Sequence, residues 1–208
     1  MLNILYKNNS VNYKIVSVEG EDFYLVPVKD IEVKERKVAF VVGHIPSKQG
    51  FYSTALGATE YEFWLKYAND NLKSLGEVFT HEDIVDYTLR QSKMSKLTKD
   101  FDLVFELHFN AFNSVVDGVE CLVWKGNKKM LEVGNYFCRE MVKGMSYDNR
   151  YAKDISTGNG AGFLEVTKGD AILLEPFFGD NTLDCAKFDI DIYTAIIKKT
   201  IDFYYEQS

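Results

Sequence analysis

"FVVGHIPSKQG", residues 40–50, decides how the rest of the chain is read. The apolar run Val38, Ala39, Phe40, Val41 and Val42 stops abruptly at Gly43-His44, as a buried strand does on reaching a loop rich in small and polar residues. A histidine delivered to the tip of such a strand has three ordinary fates. It is a satisfied core residue, a turn residue, or the first piece of a site. The elements that follow decide among them.

From residue 37 onward, strand-like and helix-like patterns alternate. Behind Thr59, the residues Tyr61, Trp64, Leu65, Ala68, Leu72 and Leu75 recur at helical spacing, and Gly76 supplies the stop. Thr80-x-x-Asp83 has the spacing of a helix start, which predicts a second helix to about Ser92. "FDLVFELHFNAF" (101–112) and "GVECLVWK" (118–125) read as strands, and 127–143 as a helix. A glycine-punctuated loop (144–162) precedes "FLEV" and "AILLEPFF", both read as strands, and 182–206 reads as one long helix. This alternation predicts an α/β fold: one three-layer domain with a twisted mixed, partly parallel sheet flanked by helices. Residues 1–36 differ. They alternate moderately about Glu19-Gly20-Glu21-Asp22, a short β-hairpin-like addition of unknown function, which leaves 37–208 as the catalytic-sized domain.

Composition narrows the function classes. With 46% apolar and 26% charged residues, the 208-residue chain is globular and long enough to bury a substantial core. A formal charge of −7 argues against a broad basic face for nucleic acid or anionic lipid. No apolar run approaches the roughly 20 residues of a membrane span. The start, "MLNILYKNNSVNYK", lacks the pattern of a secretory signal, so cytoplasmic synthesis is expected. Cys121, Cys138 and Cys185, an odd number without a CxxC pair, read as small buried thiols.

Ligands of open α/β sheets gather beyond the carboxyl ends of the strands, where His44, His108 and Glu175 each interrupt strongly apolar flanks. Strand alternation puts Phe105, Leu107 and Phe109 on one side and Val104, Glu106 and His108 on the other. In Thr59-Glu60-Tyr61-Glu62, the capping-box spacing occupies Glu62 with the helix start and leaves Glu60 to point elsewhere. Two histidines and a carboxylate from three segments suit a catalytic zinc with a fourth position left open. Spacing alone does not separate that role for Glu60 from plain helix-dipole stabilisation, nor the histidines from hydrogen-bonded core residues. Asn110 is a candidate substrate or supporting residue, Glu106 a candidate for orienting an imidazole, and Glu120 is similar. "STGNGAGFLEV" (156–166) is a candidate substrate-facing loop, and His81 reads as a surface histidine.

These residues in this order carry a likeness. Over roughly residues 37–205 the chain resembles the catalytic domain of zinc-dependent N-acetylmuramoyl-L-alanine amidases, especially those of phage endolysins and bacterial autolysins. The landmarks are "VVGH" (41–44), "GATEYEF" (57–63), "FELHFNAFN" (105–113), "GVECLVW" (118–124) and "AILLEPFFGDN" (171–181). The resemblance implies one zinc per chain held by His44, Glu60 and His108, with Glu175 as the catalytic glutamate. Glu62 is the alternative to Glu60 as ligand, because Thr59 stands where asparagine usually precedes the zinc-binding glutamate. The implied reaction is hydrolysis of the amide between N-acetylmuramic acid and the L-alanine of the stem peptide, so peptidoglycan is the expected partner. A phage lysin held in the cytoplasm until lysis is the expected setting. Two other readings stand beside it: another two-His-one-Glu zinc hydrolase of carboxypeptidase or deacylase type, or a wall-binding relative without catalysis.

Overall fold

A computed structural model describes residues 5–8, 11–17, 23–28, 35–167 and 169–207. The chain divides into two compact units, Met1–Arg36 and Lys37–Ser208. In the first, β1 (Leu5–Asn8), β2 (Val11–Ser17) and β3 (Phe23–Val28) form an antiparallel sheet in the order β1-β2-β3. Ser17 pairs with Phe23 at the end of the β2–β3 ladder, and the Glu19–Asp22 turn expected between them lies outside the described residues.

The second unit runs β4 (Val38–Val42), β5 (Tyr52–Ser53), β6 (Ala58–Thr59), α1 (Glu60–Tyr67), β7 (Glu77–Thr80), α2 (Tyr87–Leu97), β8 (Leu103–Leu107) and β9 (Val119–Trp124). It continues through α3 (Lys128–Met145), β10 (Asn149–Ile155), α4 (Ala161–Val166), β11 (Asp170–Glu175), α5 (Thr182–Lys187) and α6 (Ile190–Glu206). Six strands make one sheet in the order β10-β9-β11-β8-β4-β7. β7, β4, β8 and β11 run parallel; β9 pairs antiparallel with β11, and β10 runs parallel to β9. The expected α/β fold, a mixed, partly parallel sheet flanked by helices, is therefore present, with most of its pairs parallel.

Alternation sorts the side chains into two layers of core. Phe40, Val42, Phe105, Leu107, Cys121, Val123, Ile172 and Leu174 face α1, α3 and α6, where Trp64, Phe137, Tyr193 and Ile197 close over them. Ala39, Val41, Val104, Ala171 and Leu173 face the other way, under Met94 of α2 and Phe163 and Leu164 of α4. All three thiols are free and buried.

Four expectations fail, each for a local reason. Thr80-x-x-Asp83 does not open a helix: Thr80 ends β7 and pairs with Val42, Asp83 accepts from the Ser47 amide, and Asp86 caps α2 through Leu89 N at 2.9 Å. Edge pairing beside β4 has overridden a short motif. "FLEV" is helical, because a brief apolar run fits helix as well as strand and here lays Phe163 and Leu164 on the sheet. The 144–162 loop contains β10, a polar edge strand with an irregularity at Tyr151 (φ 64°) that hides its alternation. The long C-terminal helix is two helices, since Asp189 is extended and caps α6 through Ile192 N at 2.9 Å.

Candidate metal centre and substrate cleft

The parallel strands deliver their polar residues to one end of the sheet. β4 leads through Gly43 to His44, which adopts a left-handed conformation (φ 67°) that histidine tolerates better than most residues. β8 leads to His108, held in line by its amide, which donates to Leu174 O at 3.0 Å. Gly43 is required here, because a Cβ would sit 2.3 Å from the His108 ring.

Local chemistry separates the two glutamates of α1. The Thr59 hydroxyl accepts from Glu62 N at 3.2 Å, and the Glu62 carboxylate accepts from Thr59 N at 3.0 Å, so Glu62 completes a capping box at the surface. Glu60, 4% exposed, turns inward. Its Oε1 accepts from the Phe109 amide at 3.1 Å and lies 2.8 Å from His108 Nδ1, while Oε2 lies 2.9 Å from His44 Nε2. One donor atom from each of His44, Glu60 and His108 falls within 4.8 Å of the others. Gly50 (φ 75°) leaves room beside them, since a Cβ there would lie 2.6 Å from Glu60 Oε2 and 2.7 Å from His44 Nε2.

The donor set could hold a metal ion such as zinc, since one atom from each side chain already lies within 4.8 Å of the others. Two imidazoles and one carboxylate are also a ligand type that catalytic zinc takes while keeping a coordination position open. Burial alone would raise the Glu60 pKa, but the His108 and His44 contacts overcome it and hold the carboxyl at about 2. Burial would likewise lower the His108 pKa, yet Glu106 and Glu60 on opposite sides of its ring push it well above the ordinary histidine value.

Behind this cluster lies a second buried layer. Glu106 places Oε2 3.5 Å from His108 Nε2 and Oε1 3.2 Å from His81 Nε2. Burial opposes its charge, but His108 and His81 prevail and hold its pKa at about 2. Glu106 thus stands where a residue orienting the His108 ring must stand. His81 corrects the sequence reading: it is 4% exposed, not a surface residue. "EVFTH", read as a strand, would have placed it at a carboxyl end like the other two histidines; the helix assigned there concealed it.

Glu175 ends β11 in register with Glu120 of β9. Like charges face to face are unfavourable, and only Glu120 is compensated, by Lys153 Nζ at 2.6 Å and Arg150 Nε at 2.7 Å. Glu175 Oε2 is buried with no hydrogen-bond partner among the described residues. Burial, against the opposing His108 and with added repulsion from Glu60, Glu120 and Glu106, pushes its pKa up to about 8. His44, Glu60, His108, Asn110 and Glu175 line one cleft of about 600 Å³, which the Gly158–Gly160 loop also borders. Asn110 is fixed by its backbone: its amide donates to Phe177 O at 2.9 Å, and its carbonyl accepts from Gly179 N at 2.7 Å. Among the described residues its side-chain Nδ2 makes no hydrogen bond of good geometry, but the amide lies close enough to Glu120 to help hold that carboxyl below its ordinary range.

No family model and no curated protein matches the sequence. Solved structures do match. The catalytic domain of the CD27L endolysin targeting Clostridia difficile superposes with a TM-score of 0.65 at 23% identity, over 80% of this chain and 97% of that one. An N-acetylmuramoyl-L-alanine amidase from Clostridium difficile 630 gives a TM-score of 0.66 at 16% identity, over 83% and 98%. The catalytic domain of CwlV, an N-acetylmuramoyl-L-alanine amidase from Bacillus (Paenibacillus) polymyxa var. colistinus, gives 0.62 at 20% identity, over 82% and 97%. The fold is that of N-acetylmuramoyl-L-alanine amidase catalytic domains.

Proposed function

We propose that the chain is a zinc-dependent peptidoglycan hydrolase that cleaves the amide between N-acetylmuramic acid and the L-alanine of the stem peptide. Residues 37–208 are its catalytic domain and 1–36 an N-terminal extension. The observation that carries this reading is the convergence of His44, Glu60 and His108 within 4.8 Å, in a cleft that also holds the unpartnered carboxyl of Glu175. The amidase fold of the solved neighbours supports it, and likeness to an endolysin catalytic domain supports a role in wall lysis.

His44, Glu60 and His108 would hold one zinc ion. Bound there, zinc supplies Lewis acidity for amide hydrolysis, which needs both a stronger nucleophile and stabilisation of a tetrahedral oxyanion. Glu106 holds the His108 ring from behind, so that Nδ1 faces Glu60. Glu175 moves the proton. Its carboxylate would accept a proton from water and return it, as the acid, to the leaving nitrogen, and its place in the cleft beside His44, Glu60 and His108 is what suits it to that role. Asn110, which lines the same cleft, is the residue placed to contact the substrate.

The test is digestion of purified peptidoglycan by the full chain, with chelator and after zinc is restored. New L-alanine amino termini that vanish with chelator and return with zinc are expected. Muramoyl reducing ends without such termini, or no release from any wall by zinc-loaded protein, would refute the reading.

A further inference from the structure

Among the described residues, nine buried side-chain polar atoms make no hydrogen bond of good geometry, and four of them belong to residues that line this one cleft: Arg90 Nε, Gln91 Oε1, Asn110 Nδ2 and Glu175 Oε2. Buried polar groups are almost always paired, so such a concentration marks a surface shaped for a polar ligand. Asn110 and Glu175 belong to the centre already described. Arg90 and Gln91 do not, and they come from a different element.

Tyr87, Arg90 and Gln91 stand at i, i+3 and i+4 on α2, the spacing that puts side chains on one helix face. Met94, one turn on, anchors that face to the sheet. Arg90 is the one lysine or arginine among the described lining residues, in a cleft whose other charged groups are carboxyls and histidines. It is held but not neutralised: Nη1 donates to Ile84 O at 3.3 Å, and the guanidinium lies 5.1 Å from the centre of the Tyr87 ring. None of the described carboxylates forms an ion pair with it: Glu106 is engaged with His81 and His108, and Asp86 with Leu89 N. A planar guanidinium whose Nε is unpaired suits a carboxylate. Gln91, whose amide also meets Tyr87, leaves Oε1 as an acceptor open to an N–H, so the pair suits a peptide unit carrying a carboxylate.

Resting on the amidase reading, we infer that Arg90 and Gln91 form a stem-peptide subsite that recognises a free carboxylate just beyond the scissile bond. In a muramoyl stem that group is the α-carboxyl of the second residue, a γ-linked D-glutamate. It lies about two residues out, a reach of roughly 7 Å along an extended chain. Some walls amidate this carboxyl to isoglutamine, which removes the charge and puts a donor where the guanidinium needs an acceptor. The subsite thus sets which walls the protein favours.

The experiment titrates zinc-loaded full chain with L-alanyl-γ-D-glutamate and with L-alanyl-D-isoglutamine, by calorimetry. The wild type is expected to bind the free carboxylate at least about ten-fold more tightly. Arg90→Gln abolishes that preference with zinc content unchanged, and Arg90→Lys keeps a reduced one. Equal affinities, no binding of either dipeptide, or a preference that survives Arg90→Gln overturns the inference. The wild-type comparison needs no variant, so a folding defect in Arg90→Gln does not obscure the result. Alanine termini released from walls test the amidase reading separately. Preference without turnover keeps the subsite and removes the amidase; turnover without preference does the reverse.

Discussion

Two regions of the same sheet are built on opposite terms. On the face covered by α1, α3 and α6, aromatic rings interlock: Phe40 stacks on Phe105 at 5.3 Å, and Phe177 meets Phe188 at 4.8 Å. The polar atoms without partners among those rings are Trp64 Nε1 and Tyr193 Oη, both neutral. At the carboxyl ends of the strands, residues lining a cleft hold four such atoms, one on a guanidinium and one on a carboxyl. The first region is apolar packing without an ionised group. The second sacrifices stability to hold charges ready for a ligand. Removing a packed ring from the first should therefore cost stability, and removing a charge from the second should cost function.

The largest expected effect lies in the cleft. Glu175→Gln should lower turnover of a muramoyl peptide by about 10²–10⁴-fold while zinc content by atomic absorption is unchanged. His108→Ala should lose zinc and turnover together. Equal metal content and activity in both variants would dissolve the distinction between holding the ion and moving the proton.

In the core the pattern reverses. Phe105→Ala removes a fully buried ring and should cost about 3–5 kcal/mol in denaturant unfolding, with turnover preserved where the variant stays folded. A loss below about 1 kcal/mol would mean that the aromatic layer is looser than its stacking implies.

A third comparison uses pH on chelated protein. The Glu175 pKa is raised in the folded state to about 8 from about 4.5. The native state then binds more protons than the unfolded chain between those values, so wild-type stability falls as pH rises through the window. Glu175→Gln lacks this loss. Its thermal midpoint should exceed that of the wild type by several degrees at pH 8 and match it near pH 4. A constant difference across that range would contradict the buried, unpaired carboxyl. The smallest effect belongs to Tyr193→Phe, which deletes an unpartnered buried hydroxyl and should leave stability equal or raise it by up to about 1 kcal/mol.

The division between these regions was partly legible in the sequence. Strand alternation put Glu106 and His108 opposite Phe105 and Leu107, and the capping-box spacing assigned Glu62 to the helix start and left Glu60 free. Both signals are local, and the structure repeats them residue by residue. His81 was not legible, because Thr80 and Asp83 mimic a helix start and only pairing with β4 decides otherwise. β10 and α4 escaped for a related reason: a polar edge strand lacks alternation, and a six-residue apolar segment has no decisive period. Arg90 and Gln91 carried no signal at all. They became visible only when α2, shifted from its expected start to Tyr87, turned that face toward the cleft.

Zinc-edge anomalous diffraction from crystals grown with zinc tests the account most directly. A single strong peak is predicted about 2.0–2.2 Å from one nitrogen each of His44 and His108 and from a carboxylate oxygen of Glu60. A peak ligated by other residues, or none between these three in protein that still hydrolyses peptidoglycan, would contradict it.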